Sequence, residues 1–304
     1  MEEHTFSLPA AEFRMTRLKE RIGAHLELCK VRISLFSAFS AATGFVLAAS
    51  GLRPEIVILS LGVFLLACGS SALNQYQERE IDARMPRTER RPIPSGRIIP
   101  LHALLFSAVL LFSGFAALLL TANAAAPLLG LVAVCWYNGV YTYLKRRSAF
   151  AVVPGALIGV VPPAIGWVTG GGSLSDPRLL VLCFFFFMWQ VPHFWLLILD
   201  FGGEYEKAGL PSMTRIFSRP QLTRIIFIWI SAAAVSCLFI SMPGMVQIPH
   251  IRGMLFAASL WIIWYGVRLL KGRGGGTLSA VTFTRINVYM LLVMLLLTTD
   301  KILI

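Results

Sequence analysis

Nine stretches of this chain are apolar for long enough to cross a lipid bilayer, and this feature restricts the fold more than any other. They run over residues 31–50, 54–75, 102–121, 125–143, 149–170, 178–200, 222–242, 254–270 and 283–303. A helix needs about 20 apolar residues to cross the hydrocarbon core. Backbone in that medium must satisfy its own hydrogen bonds, which leaves helices or a closed barrel. Barrel strands would read as short alternating segments, and these runs do not. The predicted fold is therefore all-α, a polytopic integral membrane bundle of about nine transmembrane helices. With 57% hydrophobic residues and 14% charged, little of the 304-residue chain is left over for a soluble domain.

Residues 1–30 read as a separate N-terminal segment and residues 31–304 as a single transmembrane domain. The segment is charged where a signal peptide would be apolar. Residues 12–29 are expected to form an amphipathic helix on the membrane surface. The five cysteines are scattered, mostly within apolar runs and with no CxxC pair, and read as core thiols.

The net charge of +12 is distributed by topology. Of 27 basic residues, 23 precede the first span or follow an even-numbered one, and only Arg53, Arg178, Arg252 and Lys301 lie on the other side. The positive-inside rule then places the N-terminus in the cytoplasm and the C-terminus outside, in a bacterial inner membrane. The basic excess is explained by a bilayer partner, and nucleic acid is not expected.

Acids are the informative minority. Seven of fifteen fall in two segments at the ends of the second and sixth spans: Glu78, Glu80, Asp82 and Glu89, then Asp200, Glu204 and Glu206. If the second span continues as a helix, Asn74, Glu78 and Asp82 fall at i, i+4 and i+8 on one face. Asp200 and Glu204 make a second i, i+4 pair, with Gly202 and Gly203 weakening the helix there. Two clusters of hard oxygen ligands facing one cavity can hold Mg²⁺, which favours a few carboxylates plus water and phosphate oxygens. Basic residues stand beside both: Arg87 and Arg91 after the first, Lys207 after the second, with Tyr141 and Lys145 closing the fourth span. Such cations can clamp an anion, arginine with bidentate contacts and lysine as a point charge. Glu80, Glu89, Arg84 and Arg90 read as solvated loop charges. A secondary transporter with an anion site is an alternative, although transporter sites lie near the bilayer midplane and these residues are at span ends.

Asn74-x3-Glu78-x3-Asp82 resembles the first aspartate-rich motif of the UbiA superfamily of intramembrane prenyltransferases, and Tyr141-x3-Lys145 resembles its YxxxK. Further strings resemble the haem O synthase family within it: residues 82–92, the Lys145-Arg-Arg-Ser148 turn, 159–167, Trp189-Gln-Val-Pro-His-Phe-Trp195 and 204–211. The sequence departs from that pattern in having glutamate at 78 and 204, where the family has aspartate, and Ser212-Met-Thr-Arg-Ile216 after Pro211. The resemblance implies a farnesyltransferase. Farnesyl diphosphate would bind through Mg²⁺ to Asn74, Glu78, Asp82, Asp200 and Glu204. Arg87, Arg91, Tyr141, Lys145 and Lys207 would hold the diphosphate, and a vinyl group of protohaem IX (haem b) would take the farnesyl group to give haem O. A quinone precursor or other aromatic acceptor is the alternative within the superfamily. Haem A synthase or a terminal oxidase assembly would be partners. His193 is a candidate haem contact, though packing beside Pro192 explains it as well. Phe184 to Phe187 and Trp189 suit a prenyl groove and ordinary packing equally.

Overall fold

The computed structural model describes residues 10–241, 244–272 and 275–304, with side chains from residue 18 and, after the last gap, from residue 278. Residues 1–9 and Arg273 lie outside the described residues. Among the described residues, a helix α1 (Ala10–Leu28) is followed by nine helices long and apolar enough to cross a membrane. These are α2 (Val31–Ala49), α3 (Glu55–Asp82), α4 (Pro100–Leu119), α5 (Ala125–Leu144), α6 (Val152–Thr169), α7 (Pro177–Lys207), α9 (Arg219–Ile240), α10 (Pro249–Leu270) and α11 (Gly275–Ile302). A one-turn helix, α8 (Met213–Ile216), precedes α9. No strand is present among the described residues. The protein is an integral membrane helical bundle.

Neighbour packing closes the bundle into a ring. α3 packs on α2 and α4; α6 packs on α2, α5 and α7; α9 packs on α7 and α10; and α11 returns to α10, α7 and α2. The larger core cluster, built around Trp167, Phe185, Phe186 and Tyr289, joins α6, α7, α9, α10 and α11. A second cluster of Ala41, Phe45, Leu59, Leu66 and Leu118 joins α2, α3 and α4. Close approach of α2 and α6 depends on Gly166, where an added Cβ would lie 1.8 Å from the Ala41 carbonyl oxygen. Overpacking of this kind costs about 1–3 kcal/mol or more. We expect Gly166→Val to lower thermal stability in detergent and the yield of folded protein, measured by fluorescence-detected size exclusion; wild-type stability would contradict the packing.

Two helices exceed what a bilayer requires. α3 has 28 residues and α7 has 31, about 42 and 46 Å at 1.5 Å per residue, against a hydrocarbon core of about 30 Å. Their extra turns project at the basic end, the end where α2, α4, α6, α9 and α11 begin. The sequence reading ended these spans near 75 and 200. The helices instead continue, α3 through Glu78, Glu80 and Asp82 and α7 through Asp200, Glu204 and Glu206. α7 runs unbroken through Gly202 and Gly203, and a Cβ at Gly202 would lie 2.5 Å from Thr214 Oγ1. Ser212 caps α8 and Thr214 donates to Glu206 Oε1 at 2.6 Å. The departure after Pro211 therefore fastens the α7–α9 connection.

At the basic end α1 docks through Ala24 and Leu28 onto Ala72, Ile93, Ile98 and Ala103. Gln75 Nε2 donates to the terminal carbonyls of Glu27 and Leu28, and Arg97 pairs with Glu27 at 2.7 Å. At the opposite end Asp300 is fully buried and accepts from the Gln247 and Ile248 amides ahead of α10. That acid is a structural cap.

Candidate active site

A cavity of about 380 Å³ opens at the basic end between α2, α3, α5, α6 and α7. Asn74, Glu78, Asp82, Arg87, Arg91, Tyr141 and Lys145 all line it. Continuation of α3 past the bilayer puts the first three on one face, as their spacing predicts. Asn74, Glu78 and Asp82 are only 1%, 5% and 4% exposed. Buried carboxylates need partners, and each has a cation from another element. Lys145 pairs with Glu78, and Arg91 Nη1 donates to Asp82 Oδ2 at 2.7 Å. Asn74 Nδ2 donates to Thr142 Oγ1 at 3.0 Å.

Local distortion of α5 aims the tyrosines. Residues Cys135–Tyr141 form a π-helical segment, a form that recurs at functional sites. It holds the Tyr137 and Tyr141 rings stacked with centroids 5.9 Å apart. Both line the cavity, and Lys145 Nζ stands 5.5 Å from the Tyr141 ring. Buried polar contacts pin the segment to α3: Asn138 Nδ2 donates to the Ser70 carbonyl at 3.0 Å, Gln77 Nε2 to the Asn138 carbonyl at 3.0 Å, and Arg146 to the Gln77 carbonyl at 2.7 Å. Gly155 leaves room for the Tyr141 ring, which a Cβ there would meet at 2.5 Å.

The residues predicted on α7 are arranged differently. Arg87 donates to the Tyr205 hydroxyl at 3.2 Å and lies over the Phe201 ring, so Tyr205, and not its neighbour Glu204, lines the cavity. Glu204 is outside the cavity wall, with Oε2 buried and without a hydrogen-bond partner. Asp200 accepts from Ser279 Oγ of α11 and lies 3.8 Å from Arg219 of α9. It is engaged between helices, away from the lining. Lys207 is exposed at the end of α7. His193 is one turn below the lining residue Leu197. Phe185 and Phe186 are core and Phe184 is exposed, so the aromatic run is not the cavity wall; Phe194, Leu197 and Ile198 are.

One basic lining residue was read from the sequence only as a topology charge. Lys30 immediately precedes α2 with φ 45° and ψ 52°, in the left-handed region. A non-glycine residue held there carries strain of about 1 kcal/mol or more, a feature that clusters at functional sites. Burial, with the nearby positive charges of Arg91 and Lys145, brings its pKa down to about 8, against the opposing pull of Glu78 and Asp82. Tyr137, Thr88 and Tyr205 also line the cavity and had no signal in linear spacing.

The donor set suits a hard divalent cation. Asn74, Glu78 and Asp82 offer oxygen only, in one cavity with cations placed for phosphate. Among the described residues no three His, Cys, Asp or Glu side chains converge closely enough to hold a metal by themselves. A divalent cation held by so few carboxylates would have to complete its shell with water or substrate phosphate.

This bundle, with an acid-and-cation cavity at one end, defines an intramembrane prenyltransferase: the chain matches the UbiA prenyltransferase family over residues 37–295 and belongs to it. Its curated relatives narrow the class. It is 36% identical over 238 residues to the protoheme IX farnesyltransferase of Geobacter sulfurreducens, covering 78% of this chain and 87% of that protein. It is 32% identical over 298 residues to that of Gloeobacter violaceus, covering 97% of each. Among solved structures, a digeranylgeranylglyceryl phosphate synthase superposes with a TM-score of 0.70 at 18% identity, covering 94% of this chain and 100% of that one. A UbiA homologue from Archaeoglobus fulgidus bound to GPP and Mg²⁺ gives 0.67 at 16% identity, covering 90% and 99%. At these identities the structural likeness concerns the fold.

Proposed function

We infer that this protein transfers the farnesyl group of farnesyl diphosphate to a vinyl group of protohaem IX, giving haem O. The observation that carries the chemistry is the interleaving of Glu78 and Asp82 with Lys145 and Arg91 in one cavity at the basic end of an apolar bundle. Relatives called protoheme IX farnesyltransferase, one of them matching along 97% of the chain, support the acceptor.

Asn74, Glu78 and Asp82 would hold Mg²⁺, with the unpartnered Glu204 oxygen as a further donor if α7 shifts. The metal, when bound, supplies charge neutralisation to the diphosphate. Lys145, Arg91, Arg87 and Lys30 would exchange carboxylate or solvent partners for phosphate oxygens. Their attraction grows as the C1–O bond of farnesyl diphosphate breaks and negative charge collects on the leaving group. Tyr137 and Tyr141 would flank the allylic cation. Phe194, Leu197 and Ile198 would keep water from it until the vinyl carbon attacks C1. The cation left on the porphyrin side chain then takes up water and loses a proton, giving a hydroxyethylfarnesyl group.

Purified protein incubated with labelled farnesyl diphosphate, haem b and Mg²⁺ should move the label to a porphyrin, identified by mass. Excess chelator should abolish turnover. Label on a quinone-type ring would establish the other acceptor, and label remaining on diphosphate would sink the enzyme reading. Full turnover in chelator would remove the metal.

We further propose that the basic end faces the cytoplasm in a bacterial inner membrane. The exposed row Leu18, Ile22 and Leu26, flanked by Lys19 and Arg21, supports a surface position for α1. A reporter fused after Ile304 should be active only outside the cytoplasm; cytoplasmic activity would reverse the orientation. Haem A synthase or a terminal oxidase would receive the product.

A further inference from the structure

Away from the cavity, at the seam between α10 and α11, two arginines converge on one tyrosine. Tyr265 of α10 is buried, with Arg285 Cζ of α11 5.5 Å from its ring centroid and Arg268 Cζ of α10 at 5.9 Å. Arg268 also lies over the Trp264 ring at 4.9 Å, and Trp264 meets Tyr265 edge-on at 4.9 Å. Arg268 and Trp264 are exposed. None of these four residues lines the cavity that holds the α3 acids.

Arg285 is the anomaly. The membrane-crossing stretch of α11 begins at Leu278, and Arg285 stands about 10 Å inside it at 1.5 Å per residue. Its Cβ is tilted toward the start of the helix, which is the basic end, so the long side chain reaches back to Tyr265 near the end of α10. A charge at such depth is expected to pair with another charge or with backbone carbonyls. Arg285 has no such partner among the described residues: its Nε is buried without a hydrogen bond, and no carboxylate is within ion-pair distance of Arg285 or Arg268. The Tyr265 ring attracts both charges, but it leaves the Arg285 Nε–H without an oxygen acceptor.

The flanks of the seam are apolar and exposed. Leu260 and Trp264 stand one turn apart on α10, and Val281 and Val288 stand about one turn to either side of Arg285 on α11; all four face outward from the bundle. A ligand that fits both features has an anionic head at the arginines and hydrocarbon along these rows. A free anion would have to shed its water to reach Nε. A zwitterionic choline head group would bring its own cation to a pair of arginines with no acid beside them. We propose that the α10–α11 seam at the basic end binds an anionic glycerophospholipid, its phosphodiester oxygens accepting from Arg285 and Arg268 adding charge at the rim. Guanidinium donates to phosphate in charge-assisted, bidentate fashion, and basic pockets between transmembrane helices take acidic head groups. The lipid supplies the acceptor that Arg285 lacks and fastens α11, whose other face packs on α7 and α2, to α10.

The test places purified wild type, Arg285→Gln, Arg268→Gln, the double variant, Arg285→Lys and Arg147→Gln in nanodiscs of mixed phosphatidylcholine and phosphatidylglycerol. Native mass spectrometry counts the lipids that stay bound on release, and spin-labelled lipids give the relative affinities. Wild type should retain phosphatidylglycerol in preference to phosphatidylcholine. Each glutamine at the seam should weaken that preference about 5-fold, the worth of one basic residue beside an anionic lipid. Arg285→Lys keeps the charge without the planar fork and should fall between wild type and Arg285→Gln, which guards against a glutamine variant that folds poorly. Arg147 is an exposed cation of the same end but beyond α5, and Arg147→Gln should leave the preference unchanged. Added phosphatidylglycerol should raise the unfolding temperature of wild type and not that of the double variant, because the lipid binds the folded seam. Equal retention of the two lipids by wild type overturns the proposal, as does a preference that survives in the double variant. An equal loss in Arg147→Gln would assign the effect to general surface charge and overturn it too. Displacement of the bound phosphatidylglycerol by farnesyl diphosphate would give the seam to that amphiphile instead.

Discussion

Replacing Lys145 by alanine is expected to lower kcat/KM for farnesyl diphosphate by about 100-fold or more, the scale set by losing one preorganised donor to a developing charge. Lys145 sits one turn beyond Tyr141, pairs with Glu78 and lines the cavity. If the α3 acids hold Mg²⁺ as proposed, a bound diphosphate would still carry negative charge facing α5, and Lys145 would reach it from that side. The substitution also leaves Glu78 without its cation, so stability must be followed in parallel. Arg147, two residues on, is exposed; Arg147→Ala should cost little. Steady-state rates at subsaturating farnesyl diphosphate, with thermal unfolding in the same detergent, check both. Near-normal turnover of Lys145→Ala, or a larger loss from Arg147→Ala, would refute the assignment.

The second large effect is expected at Asp82. Asp82→Asn preserves shape and removes the charge, and should reduce turnover by about 100- to 1,000-fold, the range seen when one preorganised stabilising group is lost. Two consequences act together. A metal bound there would lose an anionic ligand, and Arg91 loses the carboxylate it holds at 2.7 Å. Asp82→Glu keeps the charge with one more methylene and should recover part of the rate at higher Mg²⁺. A shift in the Mg²⁺ concentration for half-maximal activity separates a ligand from a packing residue, since loss of packing alone would leave that midpoint in place. An unchanged midpoint in both variants would assign Asp82 to structure.

The α3 motif was legible because helical geometry alone converts the spacing of Asn74, Glu78 and Asp82 into one face. Tyr141 and Lys145 were legible for the same reason, although the π-helical segment that ends at Tyr141 was not. Periodicity fails across α7. Asp200 and Glu204 have the spacing of a pair, yet the rotation of that helix against α9 and α11 turns Asp200 toward Ser279 and Arg219 and presents Tyr205 to the cavity. Only neighbouring helices set that rotation. Lys30 was hidden differently, since its use depends on a left-handed backbone at the α1–α2 junction that residue type does not announce.

What the sequence determined by itself was the number of spans, their alternation and the end of the bundle that gathers charge. Those follow from hydrocarbon thickness and the partitioning of charge, which act on each segment separately. The pairing of Glu78 with Lys145 and of Asp82 with Arg91, the rotation of α7, and the seat of His193 between Trp189 and Phe283 were decided by tertiary structure. Each depends on side chains brought together from helices distant in the chain, and their direction is fixed by how those helices pack.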